Sequence, residues 1–118
     1  ARLRGGRREL VVREDVWAEL ERRGATLASV PFSGRACAGG SVGTIALSRV
    51  DGGELVDVER WSGGRDELTC ALEAPVWDRY GTFAGQPRVR GTVVWSVPDR
   101  PVVIVGERIG EQFEEAVA

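Results

Sequence analysis

Residues 58–68 read VERWSGGRDEL: a strand-like segment closes on Trp61, turns through Ser62, Gly63 and Gly64, and meets Arg65. A hydroxyl, two glycines and an arginine at this spacing are the parts of an anion cradle. Glycine lets backbone amides turn inward, and a guanidinium fork matches phosphate oxygens in pairs. The same residues also make an ordinary turn, and a second glycine-rich stretch, AGGSVG at 38–43, poses the same choice. Neither is a dinucleotide or P-loop fingerprint, because AGGSVG is not set between a strand and a helix and no lysine follows. Turn chemistry is the stronger reading of both.

Other side chains able to do chemistry are few. The 118 residues include no His and no Lys, and all sixteen basic residues are Arg. The first absence excludes Ser-His-Asp and Cys-His relays and imidazole metal sites; the second excludes a Schiff base and a phosphate-binding lysine. Asp57 and Glu59 stand two apart on a predicted strand and are expected on one face, where the polar outside of a hairpin accounts for them. In WDRYG, residues 77–81, Asp78, Arg79 and Tyr80 fit either a cleft or a strand corner with a surface ion pair. Cys37, beside Arg35 in SGRACAGGS, is the more reactive thiol, whereas Cys70 alternates with Leu68 and Leu72 and reads as a core-facing residue. Two cysteines are too few for a disulfide framework or a thiolate site, and no metal is expected.

The elements that must position these groups follow from periodicity. Length and composition, with 42% hydrophobic and 29% charged residues, fit one domain over 1–118. The net charge of −2 offers no bulk attraction to nucleic acid. Residues 1–8 read as a basic, flexible arm, and the absence of a long apolar run leaves no membrane span and a cytoplasmic expectation. REDVWAELERRG predicts an amphipathic helix, with Val12, Val16 and Leu20 at four-residue intervals, Trp17 as a core anchor and Gly24 as the cap. ATLASV, a hairpin turning at Asp51, Gly52 and Gly53, DELTCALE, RVRGTVVWSV and VVIVG predict strands. Ile109, Phe113 and Val117, four apart in GERIGEQFEEAVA, predict a short C-terminal helix. The fold class expected is mostly β (α+β): a small antiparallel β-barrel with one N-terminal and one C-terminal helix.

A helix leading into ATLASVPFSGRA, the hairpin GTIALSRVDGGELVDVERW and the later RVRGTVVWSVPD together resemble the pyridoxamine 5'-phosphate oxidase-like, FMN-binding split β-barrel family over residues 14–105. The resemblance implies an FMN phosphate held by Ser62 and Arg65 with Arg60 as a second cation, and Trp61, Trp77 or Tyr80 near the flavin ring. It also implies a small flavin- or related ligand-binding protein, either an oxidoreductase or a flavin carrier, and a homodimer with the site between subunits. The helix that follows the phosphate-binding residues in that family is not expected here, since DELTCALE alternates. The alternative is a non-catalytic β-barrel interaction or scaffold module of a larger assembly, meeting a protein partner through the apolar stripe of the C-terminal helix.

Overall fold

The computed structural model describes residues 13–64, 66–97 and 102–117. The basic arm at 1–8, Val12, Arg65 and the PDRP turn lie outside the described residues. Among those described, the order is α1 (Arg13–Arg22), β1 (Leu27–Arg35), β2 (Gly39–Val42), β3 (Ile45–Asp51), β4 (Glu54–Trp61), α2 (Glu67–Tyr80), β5 (Val89–Ser96), β6 (Val102–Arg108) and β7 (Glu111–Ala116).

The strands form one antiparallel sheet in the order β4-β3-β1-β5-β6-β7, and β2 pairs with β1. Nine-residue β1 is the hub: one side pairs with β5 throughout, and the other pairs first with β3 and then with β2. The sheet is not closed, because β4 and β7 stand at opposite ends of the order, so the barrel expectation is corrected to an open sheet.

Both helices pack on one face of this sheet. Val16, Trp17 and Leu20 of α1 and Leu68, Leu72 and Val76 of α2 join Val30, Leu47, Val93 and Ile104 in one buried cluster. The Trp17 and Trp95 rings meet edge to face at 5.2 Å, and the Trp95 indole N–H donates to the Leu72 carbonyl oxygen at 3.3 Å.

Two element predictions are corrected. DELTCALE opens α2 rather than a strand: the Asp66 carboxylate caps the helix by accepting from the Thr69 backbone N–H at 2.8 Å. Leu68, Leu72, Val76 and Tyr80 recur every four residues on its buried side, and Cys70 falls on the exposed side instead of in the core. The C-terminal helix is also absent from the described residues. Ile109 and Gly110 both have positive φ, 51° and 80°, and turn β6 back into β7 as a two-residue hairpin. A four-residue spacing is a multiple of the strand period as well, so Phe113 and Val117 still share a face, now on a strand.

The glycines admit close contacts. In the β1–β2 hairpin, Gly34 and Gly40 are register partners, and a Cβ on them would stand 2.5 and 2.0 Å from ring carbons of Phe83. Phe83 is fully buried in that slot and stacks on Tyr80 at 5.1 Å. Where β5 pairs with β6 at Gly91 and Gly106, a Cβ on Gly106 would stand 2.4 Å from the Arg90 carbonyl oxygen, with the Phe113 ring also beside it. Part of AGGSVG is therefore the wall of an aromatic slot.

Candidate functional site

Among the described residues, Arg60, Trp61 and Ser62 do not converge. Trp61 ends β4 on the helix side, where its indole N–H donates to the Thr69 hydroxyl at 2.8 Å and the Arg23 guanidinium lies 6.0 Å from its ring centroid. Arg60 is next along the strand and so points to the opposite face, exposed, with its guanidinium 3.7 Å from Asp57. The Ser62 hydroxyl shares a hydrogen bond of 2.9 Å with Thr44. At Gly64 a Cβ would come 2.7 Å from the Thr69 hydroxyl oxygen, so this glycine seats the strand-to-helix link against α2. The Thr69 hydroxyl and backbone N–H hold the Asp66 carboxyl below the usual carboxylate range, so the start of α2 carries its own anion.

The other candidates separate too. Asp57 and Glu59 do not share a face, because the register jumps from Leu47↔Glu59 to Ser48↔Asp57 and leaves Val58 as the extra residue of a bulge. Glu59 turns toward α1 and binds Arg23 at 3.0 Å, while Asp57 stays on the opposite, helix-free face. Asp78 and Arg79 line a hollow of 260 Å³ between α2 and β7, in which Arg79 is spanned to Glu115 at 3.1 Å. Tyr80 is buried; burial and then the neighbouring Glu115 push its hydroxyl above the ordinary phenol range. Trp77 is half exposed and donates to Glu73 at 3.2 Å. Cys37 and Cys70 are both exposed, with no disulfide between them. Among the described residues no group of three or more His, Cys, Asp or Glu is placed to hold a metal, and no helix is long and apolar enough to cross a membrane.

The surface that sequence reasoning missed is the helix-free face of the sheet. Register alignment carries one row across it through Ala46, Ser29, Val94, Val103 and Ala116, and the next through Pro31, Thr92, Val105 and Glu114. Leu27 and Ser96 extend it toward the β3–β4 turn, where the cross-strand pair Val50 and Leu55 is 60% and 62% exposed. None of these central side chains is buried, and both helices pack on the other face. The middle is small and apolar or hydroxylated. The charges stand around it: Asp57 and Arg60 on β4, Arg90 paired with Glu107 at 3.1 Å, and Glu114 on β7. Around Pro31, Thr92 and Gln112 the surface dips into a shallow dish of about 390 Å³.

A sequence signal for this face existed in the strands that carry little charge in either phase. In GTVVWSV the residues between the buried Val93, Trp95 and Val97 are Val94 and Ser96, and VVIVG has no polar phase at all. Such runs mark strands with two dry faces, whereas a one-sided sheet alternates apolar with polar. Comparison with family models, with curated proteins and with solved structures found no match to this chain.

Proposed function

We propose that this chain is a non-catalytic interaction module that works through the helix-free face of its sheet. One observation carries the reading: a six-strand surface with a small, apolar centre and a charged rim, which is the anatomy of a protein-binding surface. The flavin reading finds less support. FMN phosphate would have to lie against Arg60, Ser62 and Arg65, yet Arg60 and Trp61 face opposite ways, the Ser62 hydroxyl is engaged by Thr44, and the Asp66 carboxylate stands beside the loop. The described residues therefore do not fit a phosphate cradle.

The test asks whether the face belongs to the chain's own core. Valines kept for binding contribute little to the isolated monomer, so Val94→Thr with Val103→Thr, unfolded in urea at high dilution, is expected to change stability by less than about 1 kcal/mol. Dialysis after mixing with FMN is expected to leave no flavin absorbance. A loss above about 2 kcal/mol, of the size seen for core truncations, or one retained flavin per chain, would overturn the reading.

A further inference from the structure

We infer that the occupant of the helix-free face is a second copy of this chain, stacked sheet to sheet. This rests on the interaction-module reading above and names its partner. Six strands about 4.8 Å apart, each presenting about seven residues at about 3.3 Å, give a face of roughly 600 Å² in projection, before relief is added. That approaches the roughly 800 Å² per partner of a stable protein interface. A single docked helix, about 10 Å wide, covers less than half of such a span. The occupant has to be a layer as broad as the sheet.

The residues on the face favour another sheet for that layer. Ser29, Ala46, Pro31, Thr92, Val94 and Val103 are short, so two such surfaces can approach to the separation at which aligned sheets pack. Sheets that stack this way need matched twist, which two copies of one chain have by construction. Charge agrees with a copy rather than with an oppositely charged partner. Asp57, Glu107 and Glu114 on the rim are nearly balanced by Arg60 and Arg90, so the face neither repels itself nor selects a strongly acidic or basic surface. The exposed Val50 and Leu55 at the β3–β4 turn extend the apolar area to one corner of the interface. Side-by-side joining of edges is disfavoured at both ends of the sheet: β4 carries the bulge at Val58, and β7 carries Glu111, Glu114 and Glu115, which would face like charge.

Sedimentation velocity across the micromolar range tests this on the chain as it stands. The chain is expected to sediment as a concentration-dependent dimer. Val94→Arg and, separately, Thr92→Arg are expected to raise the dimer dissociation constant by about 100-fold or more, because each puts a charge in the middle of the contact. Their unfolding midpoints at high dilution should stay near that of the parent, which separates a broken interface from a broken fold. Ala18→Arg, the same side chain added on the exposed side of α1, should leave the dimer intact. A chain that stays monomeric throughout overturns the second-copy inference, and if Val94→Thr with Val103→Thr is also neutral for stability, the docking reading stands with another partner. A dimer that survives both arginine substitutions places the contact elsewhere and overturns the inference as well.

Discussion

The two faces of the sheet are built by the same strands, residue by residue, and they are made of different material. Toward the helices β1, β5 and β6 send Val30 and Phe32, Val93 and Trp95, Val102 and Ile104, all buried. Away from them the neighbouring positions are Ser29 and Pro31, Thr92 and Val94, Val103 and Val105, none of them buried. One face carries the large side chains and aromatic contacts that make a fold cooperative. The other is apolar enough to favour contact and too short in side chain to stabilise the chain by itself. If the helix-free face is the binding surface proposed, a partner could be lost or changed without unfolding, because its residues are not those that hold the helices down.

The division is broken most severely where the covered side is tightest. Phe83 is fully buried in a slot floored by Gly34 and Gly40, so Phe83→Ala is expected to cost about 3–5 kcal/mol, read from urea unfolding. Gly40→Ala would push a methyl to within 2.0 Å of the ring and is expected to cost about 1–3 kcal/mol. Made together they should cost clearly less than the separate losses combined, because the alanine fits the space the ring vacates. Additive losses would show that Gly40 serves the hairpin and not the ring. Gly106→Ala meets backbone instead of a side chain, with the Arg90 carbonyl oxygen 2.4 Å from the new methyl, and no partner change can relieve it. A loss of about 1–3 kcal/mol is expected, and a neutral result would mean that β5 and β6 separate there without cost.

What could be read in the sequence was set by how many signals agreed at each element. α1 has its apolar spacing, acids in the first turn, arginine in the last and a glycine cap, and it lies where those signals place it. The β3–β4 hairpin has glycines at its turn and lies where predicted as well. α2 was misread because Leu68, Cys70 and Leu72 alternate over a short window, and only the longer run through Val76 and Tyr80 reveals four-residue spacing behind the Asp66 cap. β7 was misread because a spacing of four satisfies both periods, and the two positive φ angles of Ile109 and Gly110 decide the matter in favour of a turn. Barrel closure depends on whether β4 meets β7, which no local pattern encodes. For the candidate site the reasons are similar. The bulge at Val58 separates Asp57 from Glu59, and it is set by pairing with β3 rather than by anything in VDVER itself.

The smallest expected effect tests how α2 is anchored over the covered face. Asp66 caps the helix through the Thr69 backbone N–H, and Thr69 in turn accepts from the Trp61 indole, so the end of β4 and the start of α2 are held by one chain of hydrogen bonds. Asp66→Ala should cost about 1 kcal/mol at neutral pH, whereas Asp66→Asn, which retains a cap acceptor, should cost less. The cost should also depend on pH. The Asp66 carboxyl titrates below its ordinary value in the folded chain because the anion accepts from Thr69, so its contribution is present above the unfolded pKa and is lost as pH falls through the folded one. The stability difference between parent and Asp66→Asn should therefore shrink on acidification from neutral pH to below the ordinary carboxylate range. A difference that stays constant would mean that the cap works through shape rather than charge. It would also remove one obstacle to a phosphate beside WSGGR, since a carboxylate repels phosphate only as an anion held in place by the helix.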